Sequence, residues 1–208
     1  MVIAPWEVPN WAAQMSHWGV TNPAERKEWA QSLYEIGLNS STEVVFTSAK
    51  VMEWDVGDLT MVGGAALVSC HGGEEPKSLK RTVGLEVTQF DVGVCALAMA
   101  GESLAEWYGE GTAPPPIIYI FRVDNSALHA IRNPRSLKAH SSCVRFHKAL
   151  TTFFLSHRDV RLILTWSPKN KDLYPDHLAM ELATEAATEF PPSGMDSVQS
   201  AAYQKDRA

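Results

Sequence analysis

Apolar and polar residues alternate, or run together, in five short segments that we expect to be β-strands. These segments are residues 43–48, 60–70, 79–87, 116–123 and 160–166. The last two read PIIYIFRV and VRLILTW, and such mainly apolar runs are typical of parallel strands that are buried on both faces. In the second segment we interpret Gly63 and Gly64 as a strand bend rather than as a ligand-binding loop.

Five other segments repeat apolar residues at helical spacing and are expected to be α-helices. The first begins at Asn22 and Pro23, which suit a helix N-cap and first turn, and Gly37 is expected to end it. The others are residues 88–108, 126–132, 142–157 and 175–189. Three strands, a helix, and then further strands and helices predict one α/β domain.

The N-terminal segment, residues 1–40, is rich in tryptophan. Its four tryptophans are Trp6, Trp11, Trp18 and Trp29. We interpret the segment as a helical extension that packs on a domain formed by residues 41–190, since burying large aromatic rings offsets the entropy lost on ordering the segment. The alternative is that the rings stack on bases. Residues 191–208 are largely polar, and we expect them to form a C-terminal tail.

Composition restricts the class of protein further. A chain of 208 residues with 45% hydrophobic and 20% charged residues is typical of a globular domain with extensions. No apolar run reaches the length of a membrane span, and the N-terminus lacks the pattern of a secretory signal. The three cysteines, Cys70, Cys95 and Cys143, are an odd and widely spaced set. They argue against a disulfide framework and for an intracellular protein of the cytoplasm or nucleus.

Charge is unevenly distributed along the chain. The net charge of −6 gives no overall attraction to a phosphate backbone. Residues 121–164, however, contain eight Lys and Arg against two acidic residues. This basic window predicts a nucleic-acid-binding surface, although an ordinary solvated helix surface would have the same pattern. The candidate contacts within it are Arg132, Arg135, Lys138, Arg145 and Lys148.

Six blocks in the chain resemble, in order, the ribonuclease H domain of fungal non-LTR retrotransposons. The blocks are VVFTSAK, GGAALVS, TQFDVGVCALAMA, YIFRVDNSALHAIRNP, LILTWSPKN and DHLAMELATEAA. The N-terminal APWEVPNW resembles the connector that precedes this domain in those polyproteins, so the resemblance covers nearly the whole chain. It implies a mixed five-stranded sheet in the order 3-2-1-4-5, flanked by helices.

The resemblance also implies the position of an active site. In that family, carboxylates hold two divalent ions that activate water and stabilise the leaving oxygen of an RNA strand. The corresponding positions of this chain hold Ser48, Gly93, Val123 and Met180. None of these side chains is a carboxylate, the ligand that Mg²⁺ requires. Other registers retain Asp91 in the helix at 88–108 and Asp124 after the fourth strand.

These replacements indicate a catalytically degenerate, retrotransposon-derived ribonuclease H-like protein. Such a pseudoenzyme would act as a non-catalytic module that binds nucleic acid, as RNA/DNA hybrid or duplex, or a protein partner. We expect no metal or cofactor. The alternative is a residual metal-dependent ribonuclease on RNA/DNA hybrid that uses Asp91 and Asp124 with Mg²⁺ or Mn²⁺.

Two further groups of side chains have the spacing of possible sites. His140, Cys143 and His147 could share one helical face as zinc ligands, but a structural zinc site needs four. Cys143 also belongs to the apolar stripe of its helix, so we interpret it as a core cysteine between two surface histidines. His177 and Glu181 could act as a base and its orienting partner, but no nucleophile is evident nearby, and we interpret them as a helix-surface pair.

Overall fold

The computed structural model describes residues 15–18, 23–39, 42–55, 59–109, 111–122, 125–132, 140–166 and 172–189. The strands are β1 (Met15–Trp18), β2 (Thr42–Asp55), β3 (Leu59–Cys70), β4 (Lys77–Leu85), β5 (Ile117–Arg122) and β6 (Arg161–Trp166). The helices are α1 (Pro23–Asn39), α2 (Gln89–Trp107), α3 (Asn125–Arg132), α4 (His140–Ser156) and α5 (Tyr174–Thr188).

The strands form one mixed sheet in the order β1-β6-β5-β2-β3-β4. Strands β2, β3 and β4 are joined as antiparallel neighbours, whereas β5 and β6 run parallel to β2. The five predicted strands correspond to β2 through β6. They lie in the predicted order 3-2-1-4-5, which confirms the expected mixed sheet flanked by helices.

The sheet has a sixth strand that the sequence pattern did not predict. Strand β1 pairs in parallel with β6, from Met15 opposite Leu162 to Trp18 opposite Thr165. Four residues are too few to show a period of two, so this strand is defined by its partner rather than by its own sequence. Trp29 of α1 packs edge-on against Phe121, with ring centroids 5.5 Å apart. Trp6 and Trp11 lie outside the described residues.

Two elements are longer than predicted. Helix α1 continues through Gly37 to Asn39, so the expected stop at that glycine is wrong. Strand β2 continues to Asp55 rather than ending at Ser48, because β3 pairs with it from Val44 opposite Cys70 to Asp55 opposite Leu59. The backbone hydrogen bonds of this long hairpin are supplied by β3, so the polar residues near position 50 do not end the strand.

The two faces of the sheet carry separate cores. Helices α2, α3 and α4 cover one face, where the buried residues include Val45, Leu97, Ile120, Phe146 and Leu164. Helices α1 and α5 cover the other, where the buried residues include Leu33, Val44, Phe46, Phe121 and Ala179. Val44 and Val45 therefore face opposite cores, as successive residues of a strand must.

The glycine pair in β3 lies at a β-bulge and allows helices to approach both faces. The register with β4 shifts between Gly63 and Gly64, which agrees with the predicted strand bend. A Cβ on Gly64 would lie 2.1 Å from the carbonyl oxygen of Ala183 in α5. A Cβ on Gly63 would instead lie 2.5 Å from methyl groups of Val87 and Val92. Glycine at position 64 thus sets how closely α5 approaches the sheet.

Candidate functional site

The candidate site lies where the pairing of the parallel strands β2 and β5 ends. The last register pair is Thr47 opposite Arg122, and β2 then continues to Asp55. The carboxyl ends of parallel strands are where α/β sheets place their sites, because side chains from neighbouring strands and following loops meet there. Ser48 is the first residue of β2 beyond this last pair, and it is buried.

The first turn of α2 arrives at the same end of β2. The side-chain amide of Gln89 donates a hydrogen bond of 2.9 Å to the carbonyl oxygen of Ala49. Two residues further on, Asp91 forms a capping box with Thr88: its Oδ2 accepts hydrogen bonds from the Thr88 backbone N–H at 3.0 Å and from the Thr88 hydroxyl at 2.6 Å. This cap satisfies backbone donors that a helix N-terminus leaves exposed. Asp91 therefore has a structural role.

Helix α5 approaches from the opposite face of the sheet. Ala179 is buried in the core with Phe46 and Phe121, and Met180 follows it on the same turn. The next turn brings the backbone of Ala183 against Gly64, which pairs with Lys50 of β2. Met180 thus lies one turn before the place where the backbone of α5 contacts Gly64 of β3.

The structure describes three of the four positions at which the resemblance implies metal ligands. Ser48 is buried on β2 and Gly93 is buried in α2. Met180 is partly buried on α5. Val123 and the alternative Asp124 lie outside the described residues.

Arg122 is the residue of this site that the sequence analysis missed. It is the last residue of β5 and is only 2% exposed. Its Nη1 donates a hydrogen bond of 3.2 Å to the carbonyl oxygen of Thr47, and the Thr47 hydroxyl donates one of 2.9 Å to the carbonyl oxygen of Phe121. These bonds hold the ends of β2 and β5 together. The one feature of the sequence that could have indicated this residue is an arginine at the end of the mainly apolar segment PIIYIFRV.

The described donor set does not fit the divalent metal ions that the fold implies. A hydroxyl, a glycine and a thioether are present where Mg²⁺ would need carboxylate oxygens, and the guanidinium of Arg122 donates to the carbonyl oxygen of the residue before Ser48. Among the described residues, no group of three His, Cys, Asp or Glu side chains could hold a metal ion. The described residues therefore do not provide the ligands of a divalent-metal site.

The candidate nucleic-acid-binding residues differ in their exposure and in their partners. Arg132 at the end of α3 and Lys148 on α4 are exposed, so both can meet a ligand. Arg145 is only partly exposed and forms a two-bond ion pair with Glu102 of α2, at 2.7 and 2.6 Å. This geometry ties α4 to α2. Arg135 and Lys138 lie outside the described residues.

Among the described residues, the histidines and the cysteine of α4 do not form a zinc site. Cys143 is buried in the core, as predicted. His147 was expected on the surface, and this prediction is wrong: it is 5% exposed and lies under α3, where its Nε2 donates a hydrogen bond of 2.9 Å to the carbonyl oxygen of Ile131. The side chain of His140 lies outside the described residues. His177 and Glu181 form an exposed pair 3.5 Å apart on α5, as predicted.

The burial of His147 predicts a pH-dependent stability. Burial lowers its pKa below the usual value, and the hydrogen bond to Ile131 opposes this shift only in part. The folded state therefore binds fewer protons than the unfolded state, so the contribution to stability is present above about pH 6.5 and is lost as the pH falls through the lowered pKa. One such group contributes at most about 1.4 kcal/mol per pH unit.

We expect His147→Gln to make the free energy of unfolding less dependent on pH, because glutamine can donate to the same carbonyl but does not titrate. Urea unfolding at about pH 7 and about pH 5.5 measures this, and the quantity compared is the loss of stability between the two. His129→Gln, an exposed histidine on α3, is the matched control. An equal loss of stability in the wild type and in His147→Gln would contradict the assignment of this pH dependence to His147.

A second buried polar cluster lies at the other end of β2. Glu43 is 1% exposed, and its two carboxylate oxygens accept hydrogen bonds from the hydroxyls of Ser69 and Tyr108, the latter at 2.6 Å. Burial, and then the nearby Glu43, raise the pKa of Tyr108 above its usual value, so its phenol is a permanent donor. Glu43 is five residues from Ser48, roughly 17 Å along the strand. This cluster is therefore separate from the candidate site.

The fold is similar to that of solved ribonuclease H domains. The foamy viral protease-reverse transcriptase, solved with an RNA/DNA hybrid, superposes with a TM-score of 0.53 at 15% identity over 71% of this chain and 20% of that one. RNase H1 from the halophilic archaeon Halobacterium salinarum gives 0.51 at 16% identity, over 72% of this chain and 99% of that one. The RNase H domain of PFV gives 0.52 at 12% identity, over 70% and 94%.

These identities establish the fold alone, which is ribonuclease H-like. The match spans about a fifth of the foamy viral protein but nearly the whole of the other two proteins. No protein-family model and no curated protein matches the sequence. Within the described part of the chain, no helix is long and apolar enough to cross a membrane.

Proposed function

We propose that this protein is a nucleic-acid-binding domain that has the ribonuclease H fold without its metal-dependent chemistry. One observation carries the proposal: the site positions that the structure describes hold Ser48, Gly93 and Met180, none of which offers a carboxylate. Removing hard oxygen ligands from a divalent site removes the charge that concentrates the metal ion. The apolar residues that build the fold are retained, so folding is kept while catalysis is not.

The ligand we propose is an RNA/DNA hybrid. Two of the structurally similar proteins, the foamy viral protease-reverse transcriptase and LC11-RNase H1, were solved in complex with such a hybrid. The shared fold supports a related ligand for this chain. We further propose that the domain derives from a fungal non-LTR retrotransposon, on the order of its six sequence blocks, and acts in the cytoplasm or nucleus.

The distribution of exposed charge favours the side of the sheet covered by α3 and α4. Arg132 and Lys148 are exposed there. On the opposite side, α5 exposes Glu181 and Glu185 and is followed by the exposed Glu189. Lys80 pairs with the last two, and the negative charge that remains would repel a phosphate backbone. With a net charge of −6, binding should depend on a small number of local contacts and should be sensitive to salt.

This proposal predicts salt-dependent binding that Arg132→Glu and Lys148→Glu each weaken. We expect each substitution to raise the dissociation constant about three- to tenfold and to reduce the salt slope by about one, because each removes one phosphate contact. Fluorescence anisotropy of a labelled hybrid, between about 50 and about 200 mM salt, measures both quantities.

The matched control for this charge change is Arg161→Glu. Arg161 is exposed at the start of β6, at the end of the sheet opposite to the candidate site. It should bind like the wild type. Absence of binding at low salt would contradict a nucleic-acid function and leave a protein partner as the remaining candidate. Equal weakening by Arg161→Glu would contradict the assigned surface.

Residual nuclease activity is the second candidate. Asp91 favours it, because this buried carboxylate lies in the first turn of α2, at the same end of β2 as Ser48. The candidate requires cleavage of the hybrid with Mg²⁺ or Mn²⁺ that is abolished by Asp124→Asn. The capping role of Asp91 supports the non-catalytic function over this one.

A further inference from the structure

Strand β4 is an edge of the sheet that can accept another strand. In the described part of the chain β4 has one neighbour, β3, and it lies at the end of the strand order. Residues 77–82 pair with β3 in regular register before the bulge, and residues 77–81 are exposed. Along such a run, alternate residues direct their N–H and C=O groups away from the neighbouring strand. These groups form a template for an added strand.

The side chains of this run alternate between the two faces of the sheet, and their partners show which face each one occupies. Lys77 lies over the ring of Trp107 in α2, with its Nζ 5.4 Å from the ring centroid. Arg81 pairs with Glu102 of α2 at 3.5 Å. Leu79 lies midway between the two basic residues and is 42% exposed. It faces the same side, because residues two apart on a strand share a face.

The α2 side of this edge has an excess of positive charge. Glu102 lies between two guanidinium groups, since it forms two bonds with Arg145, at 2.7 and 2.6 Å, and the longer contact with Arg81. Two arginines and one glutamate leave one positive charge. Lys77 adds another, and among the described residues it forms no ion pair, either with Glu74 and Glu75 of the preceding turn or with any other acid. An acidic side chain on this side of an added strand is therefore attracted.

The α5 side of the same run has the opposite balance. Lys80 pairs with both Glu185 and Glu189, at 2.9 and 2.6 Å, so two carboxylates surround one ammonium group. Thr82 is on the same side, where its hydroxyl donates to the carbonyl oxygen of Ala186. An acidic side chain on this side of an added strand would be repelled. The edge thus distinguishes the two faces of any strand that pairs with it.

The same charges oppose the pairing of two copies of this edge. Two β4 strands side by side would bring Lys77, Lys80 and Arg81 of one copy close to those of the other, and like charges on neighbouring strands are destabilising. Basic residues on an edge therefore limit self-association, while the main-chain groups stay available to a strand of opposite charge.

We propose that the β4 edge binds an extended acidic peptide of a partner protein as an added strand. The peptide residue opposite Leu79 is apolar, and the residues two before and two after it are Asp or Glu, which meet Lys77 and Arg81. This order is the same in both chain directions, so it holds for parallel and for antiparallel pairing. Strand β4 lies across β3 from β2, which carries Ser48, and the inference does not depend on nucleic-acid binding.

The probe is a labelled peptide, Thr-Glu-Thr-Val-Thr-Glu-Thr, titrated with the full chain and followed by fluorescence anisotropy. Its control, Thr-Glu-Thr-Val-Glu-Thr-Thr, has the same composition but places the two glutamates on opposite faces. We expect the control to bind about three- to tenfold more weakly, because one exposed ion pair is lost and a like-charge contact is added.

Substitutions in the protein test the same contacts. Lys77→Ala and Arg81→Ala should each raise the dissociation constant of the probe peptide about two- to fivefold, as expected for one exposed ion pair. Arg161→Ala, an exposed arginine on β6, is the matched control and should bind like the wild type. Equal binding by all three variants and the wild type would contradict the assigned edge.

N-methylation of the probe distinguishes an added strand from a general attraction for acidic chains. Methyl groups on alternate residues block either the amides that face β4 or those that face away. We expect one of the two methylated peptides to bind like the parent and the other to lose binding. Absence of binding by the parent peptide would overturn the proposal. Equal binding of the two methylated peptides, with displacement by an RNA/DNA hybrid, would overturn it in favour of a polyanion surface, and a dimer of the chain that the parent dissociates would overturn it in favour of a second copy.

Discussion

Replacing Gly64 with alanine is expected to lower the free energy of unfolding by roughly 3 kcal/mol, at the upper end of the cost of overpacking a core. The added Cβ would lie 2.1 Å from the carbonyl oxygen of Ala183 and 2.5 Å from the backbone nitrogen of Ala187. Neither atom can move by a side-chain rotation, so α5 must shift as a unit away from β3. That shift would also strain the hydrogen bond of 2.6 Å from the Thr82 hydroxyl to the Ala186 carbonyl.

Urea unfolding of Gly64→Ala measures this cost, and two other glycines calibrate it. At Gly63 the obstacles are side-chain methyl groups of Val87 and Val92, so alanine there should cost less, about 1 to 2 kcal/mol. At Gly109 the nearest atom to a new Cβ is 3.5 Å away, which is an ordinary contact, and alanine should be within about 0.5 kcal/mol of the wild type. A cost for Gly64→Ala no larger than that for Gly109→Ala would show that α5 is not held this closely.

Replacing Glu43 with alanine is also expected to cost roughly 3 kcal/mol, for a different reason. The substitution leaves the buried hydroxyls of Ser69 and Tyr108 without their acceptor and opens a cavity between β2, β3 and the end of α2. A buried donor that loses its partner has a cost of about 1 to 3 kcal/mol, because its desolvation is no longer compensated.

The single-donor variants separate these contributions. Tyr108→Phe and Ser69→Ala each remove one hydrogen bond to a buried carboxylate, and each should cost about 2 kcal/mol. The variant that carries both should cost more than their sum, because the carboxylate then has neither of these donors. Urea unfolding of the three variants decides this. Costs below about 0.5 kcal/mol for both single variants would contradict the buried hydrogen-bonded carboxylate.

Much of this fold could be predicted from the sequence, because local patterns determine most of its elements. The apolar runs at β5 and β6 and the helical period of α2 predict one α/β domain, whereas the order of the strands in the sheet came from the resemblance. Strand β1 could not be predicted, since its pairing with β6 depends on a contact between segments more than 140 residues apart. The far end of β2 depends in the same way on β3.

The candidate site was predictable only in part. The resemblance supplied Ser48, Gly93 and Met180, and the structure places these on β2, α2 and α5. Arg122 was counted only as one of several basic residues, because the sequence does not show which arginine is buried. His147 was misplaced for a similar reason: its burial comes from the packing of α3 over α4, which helical spacing alone does not show.

The central claim of the proposed function is that this chain, whose fold is ribonuclease H-like, has no metal-dependent cleavage activity. The most direct measurement incubates the full chain with a labelled RNA/DNA hybrid in Mg²⁺ and in Mn²⁺ and follows cleavage of the RNA strand. Asp124→Asn, prepared in the same way, serves to separate activity of this chain from a contaminating nuclease. We predict intact hybrid with both metals, at protein concentrations that saturate binding. Cleavage by the wild type that Asp124→Asn abolishes would contradict the claim.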